Sequence, residues 1–209
     1  MKIAIICANG KAGQLITKEA LNRGLDVTVI VRNQNRTIAD KVIIKDLFDI
    51  TTQDIALFDV LVDCFGAWTP ETLPQHTTSS QYLCDLVSNT NKRLLIVGGA
   101  GSLYINKEHT LQLSDSSDFP DVFMPVTNAC NNALIELRKR NDVNWTYICP
   151  AGDFQADGVR TGKYILGGEE LVLNSKGESV ISYADYAIAL VDEIVNGNNI
   201  KKRIGVVSE

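Results

Sequence analysis

The stretch Ile3-Ala4-Ile5-Ile6-Cys7-Ala8-Asn9-Gly10-Lys11-Ala12-Gly13 decides the fold of this chain. Its first four residues are apolar, which predicts a strand buried on both faces of a parallel sheet. A turn containing glycine follows, and from Ala12 apolar residues recur at the spacing of a helix. In such a unit, glycines let the backbone approach a pyrophosphate, and the free N–H groups at the start of the helix stabilise its charge. The alternative is a glycine turn that binds nothing.

The alternation of strand and helix continues along the chain. Apolar or β-branched runs predict further strands at residues 27–31, 41–45, 60–65, 93–97 and 145–149. Helical spacing of apolar residues separates several of them, from residues 12, 79 and 126 onward. This order predicts an α/β fold, a doubly wound parallel sheet of the Rossmann type, in a single domain over residues 1–209.

The rhythm changes after the sixth strand. Residues 152–182 are predicted to form a small C-terminal lobe on the substrate side, with a hairpin that pairs residues 165–166 with 171–173. Ser182 and Asp185 resemble a capping box that opens a last helix. Residues 203–207 are predicted to be an edge strand.

Composition excludes several classes of protein. The net charge of -5 leaves no basic surface for nucleic acid, so we expect no nucleic-acid partner. No segment approaches the length of a membrane span, and no Cys/His cluster has metal-site spacing, so we expect neither a membrane partner nor a metal. The five cysteines are an odd number without close pairs, which indicates reduced thiols and a cytoplasmic protein. The chain is compatible with a monomer or a homodimer.

The end of the second strand carries Arg32 and no carboxylate. In a dinucleotide fold this position faces the adenosine ribose, where an acidic residue suits the 2′-hydroxyl and an arginine suits a 2′-phosphate. Arg32 therefore favours NADP(H) over NAD(H). The alternative is a solvated arginine at the end of a strand.

Other strands are predicted to end at the same crevice. At these ends a carboxylate could accept a hydrogen bond from adenine and glycines could admit the cofactor, although turn residues are the alternative. The predicted cofactor-binding residues of the whole chain are Cys7, Asn9, Gly10, Lys11, Ala12, Gly13, Arg32, Asp46, Leu47, Phe65, Gly66, Ala67, Gly98, Gly99 and Pro150.

With these residues placed, the chain resembles the atypical short-chain dehydrogenase/reductases of the NmrA-like group, and most closely the NADH-flavin reductases among them. The resemblance rests on Val97-Gly98-Gly99-Ala100-Gly101-Ser102-Leu103, Trp145-Thr146, Pro150-Ala151, Arg160-Thr161-Gly162-Lys163-Tyr164 and residues 177–187. It implies an NAD(P)-binding Rossmann domain, a small lobe over the nicotinamide, and reduction of flavins, quinones or similar flat acceptors.

Two departures from the family pattern limit this inference. The family loop usually begins with glycine, whereas this chain has Cys7, which costs little only if that position has a negative φ. The wider superfamily uses Tyr-x-x-x-Lys as a proton relay, but Phe123 and Thr127 stand at comparable spacing here. Ser102 and Tyr104 are the catalytic candidates, as residues that orient the acceptor; a turn serine and a packed tyrosine are the alternatives.

The sequence thus supports three hypotheses. The first is an oxidoreductase that prefers NADPH and transfers hydride to a small-molecule acceptor such as a flavin or a quinone, a transfer that positioning alone can promote. The second is a non-catalytic NADP(H)-sensing regulatory protein of the NmrA type. The third, an isomerase or epimerase, would need the acid/base pair that the sequence lacks.

Overall fold

The computed structural model describes residues 1–209, and its centre is a sheet of eight strands flanked by helices. The strands of the chain are β1 (Lys2–Ile6), β2 (Asp26–Val31), β3 (Val42–Ile44), β4 (Val60–Asp63), β5 (Arg93–Val97), β6 (Asn144–Cys149), β7 (Asp153–Gln155), β8 (Tyr164–Leu166), β9 (Val180–Ser182) and β10 (Lys202–Ser208). The helices are α1 (Lys11–Asn22), α2 (Gln75–Val87), α3 (Met124–Leu137) and α4 (Tyr183–Asn196).

The strand order of the main sheet is β3-β2-β1-β4-β5-β6-β10-β8. Every neighbouring pair is parallel except β8 with β10. Strands β2 and β3 are added on one side of β1, and strands β4 to β6 are added on the other side. The strand order therefore reverses at β1, and a crevice opens between the carboxyl ends of β1 and β4. The predicted α/β fold with a Rossmann-like doubly wound sheet is therefore confirmed.

Two apolar layers hold the helices on the sheet. Helices α1 and α4 pack together on one face, where Ile16, Tyr186 and Leu190 join the inward side chains of β1 and β2. Helices α2 and α3 pack together on the other face, where Leu83 and Leu134 join the second core. The central strands are buried on both faces, which explains their nearly continuous apolar sequences. None of the helices is long and apolar enough to cross a membrane.

Two predictions for the C-terminal region are wrong. Residues 171–173 form no strand, and β8 pairs with β10 in place of the predicted hairpin partner. Strand β10 is not an edge strand, because it lies between β6 and β8. Its residues Ile204, Val206 and Val207 are all buried, as an interior position requires.

The small second sheet and the last helix complete the region. Strands β7 and β9 form a separate parallel pair within residues 152–182. At the start of α4, the Ser182 hydroxyl accepts a hydrogen bond of 3.0 Å from the amide of Asp185, which confirms Ser182 as the helix cap. The reciprocal bond of a capping box is absent, because the Asp185 carboxylate accepts from Thr161 and Gly162. Helix α4 ends at Gly197, which has a positive φ of 65°.

Candidate cofactor-binding site

The turn between β1 and α1 places the start of the helix at the carboxyl end of β1, in the middle of the sheet. The amide of Gly10 donates to the carbonyl of Cys7 over 3.2 Å and closes the turn. A Cβ atom on Gly13 would lie 2.8 Å from Ala8 Cα, a distance that no side chain tolerates. Glycine at position 13 therefore permits the close packing of helix on strand that a dinucleotide loop requires.

The first turn of α1 has the features of an anion site. The first hydrogen bond within the helix runs from Gln14 to the carbonyl of Gly10, so the amides of Lys11, Ala12 and Gly13 have no partner. No side chain caps this end, and no acidic residue lies in the first turn. These unpartnered N–H groups and the positive end of the helix dipole fit a pyrophosphate.

Cys7 adopts the conformation in which glycine is usual. Its φ is +58°, whereas cysteine in place of glycine would cost little only at a negative φ. Its side chain packs against the core under α2 and α3, on the sheet face opposite α1. Burial raises the pKa of the Cys7 thiol to about 12, so the thiol stays protonated at neutral pH. The unusual residue therefore changes backbone strain and does not place a reactive group beside the helix.

Asn9 joins the glycine turn to the segment after β2. Its amide group donates to the carbonyl of Gln34 over 2.9 Å, and its side-chain oxygen accepts from the amide of Arg36 over 2.8 Å. These bonds bring the segment that follows Arg32 next to the start of α1. Arg32 itself keeps 75% of its side chain exposed, and its nearest carboxylate is that of Asp46, at 4.0 Å.

The predicted residues after β3 serve the local structure as well. The Asp46 carboxylate accepts from the amide of Phe48 over 3.1 Å and caps the short 3₁₀ helix Leu47–Asp49. The Leu47 side chain is buried in the core. Of these two residues, only Asp46 therefore presents a polar side chain at this end of the sheet.

The end of β4 carries a buried carboxylate and a histidine from α2. Asp63 is buried, and its Oδ1 accepts from the amide of Phe65 over 2.9 Å. Burial raises the pKa of Asp63 to about 6. Phe65 packs edge to face against His76, with ring centroids 5.5 Å apart, and the His76 Nε2 lies 3.0 Å from the carbonyl oxygen of Ala67. Gly66, between them, has open space at its Cα except for the ring nitrogen of Trp68 at 3.9 Å.

The ends of β5 and β6 are packed closely together. A Cβ atom on Gly98 would lie 2.3 Å from the Tyr147 ring, so only glycine fits there. Gly99 lies against Cys130 of α3, and Pro150 follows β6 directly. Because β1, β4, β5 and β6 are parallel, all of these strand ends lie at one edge of the sheet.

The two catalytic candidates lie further along the loop that follows β5. Ser102 is 3% exposed, and its carbonyl accepts a hydrogen bond from Arg203. The Tyr104 ring stacks on His109, with centroids 4.4 Å apart, and the Arg203 guanidinium lies 5.0 Å from its centroid. Both residues thus make packing contacts with the segment around β10, and their roles as orienting residues remain predictions.

Sequence analysis missed two residues that the fold brings to the crevice. His76 begins α2 and Cys130 lies on α3, and the distance from Cys130 Sγ to His76 Nδ1 is 3.8 Å. No motif spacing marks this pair, since the residues are far apart in the chain. The only signal was the scarcity of histidine, which occurs twice in the sequence.

Known proteins resemble this chain over its whole length. A 49% identical protein of Streptococcus pneumoniae TIGR4, named a “putative NADH-flavin reductase”, has a crystal structure that superposes with a TM-score of 0.98 and covers 100% of both chains. A Bacteroides thetaiotaomicron structure named a “putative epimerase” is 31% identical, with a TM-score of 0.85 over 99% of this chain and 96% of that one. The protein YwnB of Bacillus subtilis is 42% identical over 100% of this chain and 99% of its own length.

The family model described as NAD(P)H-binding matches residues 7–196, from the turn after β1 to the end of α4. The uncapped α1, the close approach at Gly13 and the crevice between β1 and β4 agree with that description. The chain belongs to the NAD(P)H-binding family.

Proposed function

We propose that this protein is an NADPH-preferring reductase that transfers hydride to a flavin, a quinone or a similar flat acceptor. The observation that carries the proposal is the pairing of unpartnered amides at the start of α1 with Arg32 at the end of β2. The amides suit the pyrophosphate. Arg32 suits a 2′-phosphate, because the end of β2 carries this cation and no carboxylate. NADH is the alternative cofactor.

The geometry around Arg32 supports the preference for NADPH. The guanidinium is exposed and its only ionic neighbour, Asp46, is at the outer limit of an ion pair. An incoming phosphate could therefore form a charge-assisted, bidentate contact without displacing a strong partner. Asn9 holds the following segment in place, so the site would need little reorganisation on binding.

The residues around the start of α3 support a flavin or quinone as the acceptor. Phe123 and Thr127 stand where a tyrosine and a lysine would form the usual relay, which disfavours reactions that require a dedicated acid and base. A flavin or quinone delocalises the charge it receives, so positioning contributes most of the catalysis. The name of the S. pneumoniae relative, which covers the whole chain at 49% identity, agrees with a flavin acceptor.

Cofactor titration tests the cofactor part of the proposal. NADPH and NADH are titrated by fluorescence into the wild-type protein, Arg32→Ala and Lys18→Ala, which removes an exposed cation of α1 that makes no ion pair. Loss of one charge-assisted contact is worth about 2 kcal/mol, so Arg32→Ala should weaken NADPH binding roughly 30-fold and leave NADH unchanged. Lys18→Ala should match the wild type. Equal affinity of the wild type for both cofactors would contradict the assignment of Arg32.

Absorbance at 340 nm then tests the reaction. FMN, FAD and menadione are added in turn to protein saturated with NADPH, and oxidation with at least one of them is expected. Binding of NADPH without oxidation by any acceptor would instead favour the alternative, a non-catalytic NADP(H)-sensing regulator. The missing Tyr-x-x-x-Lys relay and the unusual Cys7 are the observations that favour this second function.

A further inference from the structure

A small recess opens beside the ends of β4 and β5, between α2 and α3. Its wall includes Asp63, Phe65, His76, Val97 and Tyr147. It lies on the sheet face opposite α1, next to the glycines at the end of β5. It therefore adjoins Gly98 and Gly99, which are among the predicted cofactor-binding residues.

His76 is held in one orientation at the mouth of this recess. Its Nε2 lies 3.0 Å from the carbonyl oxygen of Ala67, and Phe65 packs edge to face against the ring. The amide of Ala67 also lies 3.3 Å from Nε2, but the contact with the carbonyl is shorter and favours the hydrogen on Nε2. Nδ1 is then the nitrogen without a hydrogen in the neutral ring. Nδ1 faces the Cys130 thiol at 3.8 Å.

Cys130 connects the imidazole to the floor of the crevice. A Cβ atom built on Gly99 would lie 3.4 Å from Cys130 Cβ and 3.6 Å from its Sγ, so the cysteine is in contact with the end of β5. A single thiol thus separates the Nδ1 atom of His76 from Gly99, a predicted cofactor-binding residue.

The surroundings of His76 contain few charges. Asp63 of β4 is the one carboxylate in the wall of the recess, and Tyr147 of β6 is a second titratable group in that wall. The Cys130 thiol of α3 faces the His76 ring. Burial raises the pKa of Cys130 to about 11 and that of Tyr147 well above its usual value, so both stay neutral at pH 7. Burial lowers the pKa of His76, which makes its protonated form a better acid.

We propose that His76 supplies the proton that the acceptor takes up during its reduction and that the Cys130 thiol, which lies between the imidazole and the end of β5, relays this proton. This inference rests on the proposed function. The acceptor gains two electrons and one proton as hydride from NADPH, which becomes NADP⁺, and is left with one negative charge. The S–H bond of Cys130 then breaks and its proton bonds to the charged oxygen or nitrogen of the acceptor, while the Nδ1–H proton of the imidazolium passes to the sulfur. The neutral imidazole regains a proton from water. This histidine takes the place of the absent tyrosine and lysine.

The chain has two histidines, so NMR can follow the ring of His76 separately in the wild-type protein once the resonances are assigned. Ring resonances of His76 and His109, assigned with the variants His76→Gln and His109→Gln, are followed by NMR through a pH titration. The His76 ring should titrate below the usual histidine pKa. Menadione added to the NADP⁺-loaded protein should then shift the His76 resonances and leave those of His109 unchanged. A His76 ring that does not respond to menadione would overturn the proposal.

Single-turnover kinetics with saturating NADPH and menadione supply the second test. His76→Gln should slow oxidation by about 100-fold or more and should abolish the rise in rate at acidic pH, with the Kd for NADPH unchanged. The control His109→Phe removes an exposed imidazole that pairs with Glu170 but keeps an aromatic ring against Tyr104, and it should match the wild type. Cys130→Ser, which retains a small donor, should stay closer to wild type than Cys130→Val.

The outcomes separate the two levels of the proposal. If none of the acceptors supports oxidation of NADPH by the wild-type protein, the reductase function is overturned, and the role of His76 is overturned with it. An active wild type whose rate and pH profile are reproduced by His76→Gln overturns only the role of His76. Because the chain has two histidines, His109→Gln alone assigns both rings, and a His76 variant that fails to fold does not protect the proposal.

Discussion

Cys7 combines a favourable side-chain position with an unfavourable backbone conformation. Its thiol packs in the core, whereas its φ of +58° lies in the left-handed region that glycine occupies most readily. The cost of that conformation for an L-residue is roughly 1–2 kcal/mol. The packing of the sulfur partly offsets this cost, since free cysteine behaves as a small apolar side chain.

Two substitutions at this position separate the backbone cost from the packing. Cys7→Ala keeps the strain and loses the sulfur, whereas Cys7→Gly loses the sulfur and relieves the strain. We expect Cys7→Gly to be about 1 kcal/mol more stable than Cys7→Ala, as measured by urea unfolding. An alanine variant as stable as the glycine variant would show that the turn relaxes and that the position carries no strain.

Asp63 makes the stability of the protein depend on pH. Its folded pKa of about 6 exceeds the ordinary value near 3.8, because burial disfavours the charged form. The protonated carboxyl therefore favours the folded state at low pH, and that advantage disappears as the pH rises through about 4 to 6. At pH 7.5 ionised Asp63 costs about 3 kcal/mol relative to its protonated form.

The variant Asp63→Asn should remove this dependence, because asparagine keeps the carbonyl acceptor for Phe65 and has no charge. Compared with the wild type, it should be more stable by about 2–3 kcal/mol at pH 7.5 and nearly equal at pH 4. Urea unfolding at both pH values measures the difference, and Asp40→Asn, at an exposed aspartate, is the control. A gain of the same size at both pH values would argue against a raised pKa.

At the scale of elements, the carboxylate of Asp185 ties the loop at residues 160–163 to the start of α4. Asp185 is fully buried, and it accepts from the amide and the hydroxyl of Thr161 and from the amide of Gly162, over distances of 2.8 to 3.0 Å. Arg160 continues the connection by pairing with Glu19 of α1 at 3.1 Å. Asp185 and Arg160 together therefore tie the loop that precedes β8 to α4 and to α1.

Replacing Asp185 should loosen this loop selectively. In Asp185→Asn an amide group faces donors that it cannot satisfy, so we expect a loss of about 2–3 kcal/mol and faster tryptic cleavage after Arg160. Limited proteolysis with mass spectrometry measures the cleavage. Asp157→Asn, an exposed aspartate three residues before Arg160, is the matched control and should be cleaved at the wild-type rate. Equal cleavage of both variants would mean that Asp185 does not hold the loop.

The elements differ in how well their sequences predict them. Strands such as β1 and β5 are short apolar runs with polar flanks, and the cap of α4 has its own sequence signal, so their local patterns suffice. Residues 171–173 are as apolar as a strand but pair through one backbone bond, from the Leu171 amide to the Tyr104 carbonyl. The partner of β8 depends on residues that follow α4, and no local pattern contains that information. The same holds for His76, whose significance arises only when α2 and α3 pack together.

At the scale of the whole molecule, a ligand at the crevice should stabilise every element around it. The crevice is bordered by β1, β2, β4, β5 and β6 and by the start of α1. A ligand at 100 times its Kd adds about 2.7 kcal/mol to the free energy of unfolding, which corresponds to a rise in Tm of roughly 5–10 °C for a chain of this size.

We therefore expect NADPH to raise the Tm by that amount and NADH at equal concentration to raise it less, as followed by differential scanning calorimetry. The rise with NADPH should shrink in Arg32→Ala and persist in Lys18→Ala. An unchanged Tm at saturating NADPH would contradict binding to the folded state.

The interior position of β10 determines when the sheet can be completed during synthesis. Residues 202–208 fill the gap between β6 and β8, so β8 has no partner in the main sheet until they have left the ribosome. Until then the outer edge of β6 exposes unpaired backbone groups, which can bind other chains as readily as β10. A nascent chain stalled before residue 202 would thus be a natural client for chaperones, although its glycine turn and first helix were translated long before.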